Sequence, residues 1–214
     1  MTGLADAAGA RENVLHVLLV ATTNPGKLKE IAGILEGVST TLLTLNDRDP
    51  VPEPEETGVT FAENARLKAR YYSEATGLVS VADDSGLEIA ALDNAPGVHS
   101  ARWYGTDYQV KFAKIQELLR QRGVHGSAAR FVCAIAVARG EEILFEAEGT
   151  VEGEIVADPR GTNGFGYDPI FFYPPFGRTL AELPAAQKST VSHRGKAFAK
   201  LRDFLSSAGQ LRTR

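Results

Sequence analysis

The chain has 214 residues, of which 43% are hydrophobic and 23% charged, with a formal net charge of −4 and a pI of about 5.6. These values are ordinary for a globular protein, and the length suffices for one large domain or two small lobes. They exclude the strongly basic surface typical of nucleic-acid-binding proteins, and no apolar stretch approaches the length of a membrane span. We therefore expect neither a nucleic acid nor a membrane as a partner.

The single cysteine, Cys133, rules out a disulfide within the chain and argues against a cysteine-based metal site. Residues 1–13 are rich in alanine and glycine and lack the apolar segment of a secretory signal. The sequence predicts a disordered tail over residues 1–13, one domain of two lobes over 14–208 and a short C-terminal tail over 209–214. It favours a cytoplasmic protein.

The first structural unit is a predicted strand, a polar turn and a helix. Residues 14–21 are largely apolar and rich in valine and leucine, which predicts a strand. The turn that follows is Thr22-Thr23-Asn24-Pro25-Gly26-Lys27, and the apolar positions after it, 28, 31, 34 and 35, have helical spacing. Asn24 suits the N-cap of this helix, and Pro25 suits its first residue.

This turn is a candidate phosphate-binding site, because the free backbone N–H groups and positive dipole of a helix N-terminus favour anions. It is not a Walker A loop, since Ala21 occupies the first glycine position and Leu28 the Ser/Thr position that would hold Mg²⁺. Any metal must therefore be held by carboxylates elsewhere. The alternative is a capped helix that carries Lys27 on its surface.

Two acidic segments supply candidate metal ligands of the oxygen type that Mg²⁺ prefers. Glu55 and Glu56 lie in a Pro-rich loop, residues 46–58, and Asp83 and Asp84 close an apolar run of strand character. Since adjacent residues of an extended chain point to opposite sides, only one member of each pair is expected to face a site. The alternative for the second pair is a surface turn, in which such residues are common.

The remaining pattern alternates helices and strands around one hairpin. A helix is predicted from Thr60 to about Thr76, with a capping box formed by Thr60 and Glu63 and an end at Gly77. Further along come a helix over 106–122, a hairpin over 130–151, a short strand over 170–172 and a final helix from Ser192 to about Ser207. This order predicts an α/β fold with a mixed sheet.

A glycine-rich loop, residues 161–168, contains three glycines that allow the backbone to approach a ligand closely. Phe165 or Tyr167 could stack on a base, and Asp168 could accept a hydrogen bond from a ring N–H. The alternative is that the aromatic rings belong to the core, which we expect for one of the two.

The last predicted helix opens with Ser192, His193 and Arg194, and Lys188 lies shortly before it. Basic residues at a helix start oppose the helix dipole unless an anion lies nearby. Such a local conflict is typical of functional sites. The alternative is a solvated basic turn.

Taken together, six segments of the chain resemble, in order and spacing, the inosine triphosphate pyrophosphatase family from about residue 15 to 205. The segments are Thr22–Lys27, Thr60–Ala65 with Lys68-Ala69, Ala82–Leu87, Ala95–Val98 with Ser100–Arg102, Gly164–Phe171, and Ser192–Arg194. The resemblance implies an elongated α/β fold of two lobes around a long mixed β-sheet with flanking helices, with the active site in the cleft between the lobes. It also implies a homodimer.

The activity that the resemblance implies is Mg²⁺-dependent hydrolysis of ITP, dITP and XTP to the monophosphate and pyrophosphate, which cleanses the nucleotide pool. It makes Asp84 the general base and a metal ligand, and Glu55 the second metal carboxylate, although Glu56 is adjacent. Asp83 is expected to face away from the site and to act structurally. The residues that it assigns to the substrate are Thr22, Thr23, Asn24, Pro25, Gly26, Lys27, Ser85, Phe165, Gly166, Tyr167, Asp168, Lys188, His193 and Arg194.

Two other functions stay open at this point. One is a pyrophosphatase of similar fold that acts on pyrimidine or modified nucleotides. The other is a nucleotide-binding regulator without catalysis. The several carboxylates argue against the regulator, because the binding of an anion alone does not need them.

Overall fold

The computed structural model describes residues 16–210, with side chains up to residue 207, so the predicted tail at 1–13 lies outside the described residues. It contains an open seven-stranded mixed sheet of order β2-β1-β3-β4-β5-β6-β7. The strands are β1 (Val17–Val20), β2 (Thr41–Thr44), β3 (Ser80–Ile89), β4 (Ser127–Arg139), β5 (Glu142–Ile155), β6 (Phe171–Tyr173) and β7 (Arg178–Thr179). β1 is parallel to β2 and β3, and the other neighbouring pairs are antiparallel, so the predicted mixed α/β sheet is confirmed.

Five helices flank the sheet in the described part of the chain: α1 (Pro25–Ile34), α2 (Phe61–Thr76), α3 (Tyr108–Gln121), α4 (Ala185–Val191) and α5 (His193–Gln210). Neither α4 nor the edge strand β2 was predicted. The final helix α5 runs three residues beyond its predicted end. Within residues 16–210, no helix combines the length and apolar character needed to cross a membrane.

The predicted starts of α1 and α2 are confirmed, because the signals that set them are local, whereas α3 begins at Tyr108, two residues after its predicted start. The Asn24 side chain accepts a hydrogen bond from the Lys27 backbone N–H at the start of α1. Thr60 and Glu63 form the capping box of α2, and Gly77 ends that helix with a left-handed φ of 68°.

The prediction that the strand ends at the two aspartates is wrong: β3 continues through Asp83 and Asp84 to Ile89. Both aspartates are paired with the long strand β4, which also forms the predicted hairpin with β5. The opposite edge of β3 pairs with β1 only at Ser80 and Val81, because β1 ends at Val20. Beyond that point no strand among residues 16–210 pairs with this edge of β3, apart from the isolated bridge between Glu88 and Pro96, and a crevice opens at the carboxyl end of β1.

The apolar core forms three clusters that divide the molecule into two lobes. Two clusters lie on opposite faces of the sheet around β1, one under α1 and α5 and the other under α2. The third packs α3 and β6 against the far ends of β3, β4 and β5. The crevice lies between these lobes, as the resemblance implied.

Candidate active site

Two adjoining cavities form one cleft beside β3. The first cavity lies between Lys27, Asp84 and Phe165 and is lined by residues of both lobes. The second lies between Thr22, Lys27 and Glu53. They share Asn24, Lys27, Glu56, Lys68 and Ala101, so the two form one continuous space.

Most of the predicted site residues meet in this cleft. Those that line the first cavity are Asn24, Lys27, Asp84, Ser85, Phe165, Gly166, Tyr167, Asp168, Lys188, His193 and Arg194. Thr22 and Thr23 line the second cavity, where the Thr23 hydroxyl donates to Glu53 at 2.5 Å.

Three predicted residues do not line either cavity: Pro25, Gly26 and Glu55. Gly26 contributes by its lack of a side chain, because a Cβ there would lie 2.7 Å from the Phe165 ring. Glu55 is exposed, whereas its neighbour Glu56 is half-buried and lines both cavities. The structure therefore brings Glu56 rather than Glu55 to the site.

Asp84 lies at the centre of the cleft and is held by two donors from α2. Asn64 Nδ2 donates to Asp84 Oδ2, and Lys68 Nζ donates to Asp84 Oδ1, each at 3.1 Å. Lys68 Nζ also lies 2.6 Å from Glu56 Oε1, so one ammonium joins two carboxylates. Burial raises the pKa of Asp84 although Lys68 opposes the shift. A carboxylate with a raised pKa is a stronger proton acceptor.

Asp83 belongs to a different network, on the other face of β3. It is 3% exposed, with Oδ2 2.9 Å from Lys27 Nζ and 3.4 Å from an Arg194 nitrogen. Burial opposes its charge, but Lys27 and Arg194 hold the pKa of Asp83 well below its usual range. Asp83 does not line the first cavity, although it reaches the second. Its contacts orient two cations that the resemblance assigned to the substrate.

Glu30 joins two of the basic residues, and the sequence reading missed it. Its carboxylate accepts from Lys188 Nζ at 2.6 Å and from Arg194 at 2.7 Å. Lys188 also pairs with Asp168, and Arg194 donates to Ser85 Oγ at 2.8 Å. Burial opposes the charge of Glu30, but Arg194 and Lys188 keep its pKa below the usual value. The sequence did contain a signal for Glu30: it lies three residues after Lys27 on α1, so both side chains lie on the same face of the helix.

The two rings of the glycine-rich loop have different roles. Tyr167 is 3% exposed, and its hydroxyl donates to the Ser100 carbonyl at 2.9 Å, so it belongs to the core as predicted for one ring. Phe165 is half-buried and faces the cleft, with Lys188 Nζ 5.1 Å and Arg194 Cζ 5.5 Å from its ring centroid. Its ring therefore lines the first cavity beside two cations.

His193 forms part of the floor of the first cavity. It is 5% exposed and stacks on Phe131 with ring centroids 4.7 Å apart. Burial, with Arg194 and Lys188 nearby, places the pKa of His193 well below its ordinary value, so the ring is neutral at physiological pH. Its Nδ1 has no hydrogen-bond partner among residues 16–210. A neutral imidazole with a free nitrogen can bind a polar group of a ligand.

The cleft contains two carboxylates, Glu56 and Asp84, that could hold a magnesium ion. Among the described residues, no group of three or more His, Cys, Asp or Glu side chains is arranged to hold a metal. Glu56 and Asp84 nevertheless face one another across Lys68 Nζ. Mg²⁺ is commonly bound by one or two carboxylates with substrate phosphates completing its shell, and this pair fits that arrangement.

The fold and cleft define the class: an open α/β protein whose cleft between two lobes is lined by lysine, arginine, carboxylate and aromatic side chains. The chain belongs to the Ham1 family, whose profile matches residues 18–204. It is 47% identical over 194 residues to a dITP/XTP pyrophosphatase of Geobacter sulfurreducens, covering 90% of this chain and 98% of that protein.

Solved structures agree with this assignment. A HAM1 protein from Coxiella burnetii superposes with a TM-score of 0.82 at 41% identity, covering 89% of this chain and 98% of the other. A nucleoside-triphosphatase/dITP/XTP pyrophosphatase from Mycobacterium abscessus gives a TM-score of 0.67 at 43% identity, with 86% and 98% covered.

Proposed function

We propose that this Ham1 family member is a nucleoside triphosphate pyrophosphatase that hydrolyses ITP, dITP and XTP to the monophosphate and pyrophosphate with Mg²⁺. The observation that carries the proposal is the position of Asp84. It lies in the same cavity as Lys27 of the helix-start turn and the ring of Phe165, and the adjoining cavity is lined by Thr22 and Thr23 of that turn. The name dITP/XTP pyrophosphatase, which relatives and one solved structure carry, supports release of pyrophosphate and two of these substrates, dITP and XTP.

Glu56 and Asp84 are the residues that would hold the ion, and Glu56 replaces Glu55 in this role because only Glu56 faces the cleft. When bound, Mg²⁺ would neutralise charge on the phosphate oxygens. Lys68 stays protonated, since Asp84 and Asp83 raise its pKa against the effect of burial. Its ammonium can therefore turn from the carboxylates to a phosphate.

Asp84 would act as the general base. Its raised pKa suits it to take a proton from the water that attacks the α-phosphorus. Pyrophosphate then leaves with its charge stabilised by Lys27 and by the N-terminus of α1. Asp83 pairs with Lys27 at 2.9 Å and so fixes the position of that ammonium.

The purine would lie in the first cavity, against Phe165. Arg194 Nε has no hydrogen-bond partner among the described residues and is buried beside the cavity. A 6-oxo group would accept from such a donor, whereas the amino group of adenine would leave it unpaired at a cost of ~1–3 kcal/mol. We propose that this difference underlies the preference for ITP and XTP over ATP. We also propose a cytoplasmic location and, on the family resemblance, a homodimer.

Product analysis with ITP and Mg²⁺ tests the proposal. Release of IMP and pyrophosphate supports it. Release of orthophosphate contradicts the reaction, and binding without turnover favours a regulator. Rates with ITP, GTP, dTTP and UTP, compared at equal concentration, decide between a purine and a pyrimidine substrate.

A further inference from the structure

Asn64, a residue that the sequence reading left without a role, bridges the acidic loop and Asp84. Its side-chain oxygen accepts from the Gly58 backbone N–H at 2.8 Å, and its Nδ2 donates to Asp84 Oδ2 at 3.1 Å. The residue is 2% exposed. One buried amide therefore contacts both the segment that carries Glu56 and the proposed base.

The orientation of this amide is fixed by its partners. The Gly58 backbone N–H can only donate, so the oxygen of Asn64 must face it. The NH₂ group is consequently directed at Asp84, whose ionised form is an acceptor only. The loop also packs closely here, since a Cβ on Gly58 would lie 2.6 Å from the Asn64 oxygen.

The two oxygens of Asp84 thus have separate partners. Oδ2 accepts a hydrogen bond from Asn64, whereas Oδ1 accepts from Lys68, whose ammonium also pairs with Glu56. We propose that Asn64 is a positioning residue: it holds the acidic loop on α2 and turns Asp84 so that Oδ1 faces the reacting water. This inference rests on the proposed function of Asp84 as the base.

Glu63 provides a matched control on the same turn of α2. Its carboxylate accepts from the backbone N–H groups of Val59, at 2.8 Å, and Thr60, at 3.2 Å. Like Asn64 it ties the entering loop to the helix, but its side chain is exposed, and its hydrogen bonds do not include Asp84. If Asn64 acted only by holding the loop, substitution of Asn64 and substitution of Glu63 would both lower kcat.

The test compares Asn64→Asp with Glu63→Gln. Asn64→Asp keeps an acceptor for Gly58 but replaces the donor to Asp84 by a repelling carboxylate. We expect its kcat with ITP to fall ~10–100-fold, the usual effect of losing a partner of an active-site carboxylate, with KM nearly unchanged. Glu63→Gln should keep the wild-type kcat. Binding of a non-hydrolysable ITP analogue, measured by its effect on the melting temperature, should be retained in both variants.

Wild-type kcat in Asn64→Asp, or an equal loss in Glu63→Gln, would overturn the inference. If Asn64→Asp does not fold, Asn64→Ala removes both hydrogen bonds without adding charge, and the same fall in kcat at unchanged KM is expected. The products released by the wild type are measured in the same series. Orthophosphate there would reject the proposed function, whereas the contrast between the two variants tests the role of Asn64.

Discussion

Asp83 and Asp84 are neighbours in β3, yet their carboxylates lie on opposite faces of the sheet and in different ion-pair networks. Asp83 pairs with Lys27 and Arg194, whereas Asp84 pairs with Lys68. The alternation of side chains along a strand enforces this division. The proposed base, Asp84, and the proposed phosphate-binding residue, Lys27, therefore have different partners, so each aspartate can be tested alone.

Asp84→Asn is expected to lower kcat with ITP by ~10²–10⁴-fold, the contribution typical of general-base catalysis. The fold should be retained, because burial disfavours the charged carboxylate and an amide of the same shape avoids that cost. Turnover and thermal melting of the purified variant test this. Near-wild-type turnover would rule out Asp84 as the base.

Glu56→Gln should raise the Mg²⁺ concentration needed for half-maximal activity by at least about tenfold, as the loss of a ligand predicts. Glu55→Gln is the matched control, because Glu55 is exposed and lines neither cavity. Magnesium titrations of activity for both variants decide the assignment. If Glu55→Gln showed the larger effect, the loop would bind metal in another arrangement.

Gly26→Ala should raise KM for ITP, because the added Cβ would lie 2.7 Å from the Phe165 ring and displace it. Gly33→Ala, on the same helix, is the control, since a Cβ there meets no atom within 4 Å. That control should keep KM and gain about 0.5–1 kcal/mol of stability from the better helix propensity of alanine. If the two variants had equal KM values, Phe165 would not take part in substrate binding.

His193 should make the protein less stable as the pH falls below about 6.5. Its pKa in the folded state is lowered by burial, so the unfolded chain takes up a proton in this range while the native protein does not. The free energy of unfolding should therefore decline by up to about 1.4 kcal/mol per pH unit. His193→Phe, which can still stack on Phe131, should remove this decline.

The free energy of unfolding, measured with urea between pH 5 and 7.5, is compared for His193→Phe and the wild type. His125→Asn serves as the control, because His125 is exposed and should leave the wild-type slope unchanged. A wild-type slope that persists in His193→Phe would assign the pH dependence to another group.

The sequence by itself determined much of the local structure of this protein and indicated most of the candidate residues that meet in the cleft. The two helix starts that border the cleft can be predicted from their capping residues, Asn24 for α1 and Thr60 with Glu63 for α2. Capping involves partners only three residues away, so its signal is local in the sequence. The six matching segments similarly identified residues that the fold does bring together, such as Lys27, Asp84 and Phe165.

Only the tertiary structure decided which carboxylates meet. β3 continues through Asp83 and Asp84 because β4, some fifty residues later, supplies its hydrogen bonds, and no local signal reports a partner so distant in the chain. In the irregular acidic loop, the choice of Glu56 over Glu55 depends on Lys68 of α2. The carboxylate of Glu30, similarly, acquires its partners from α4 and α5 through packing of distant helices.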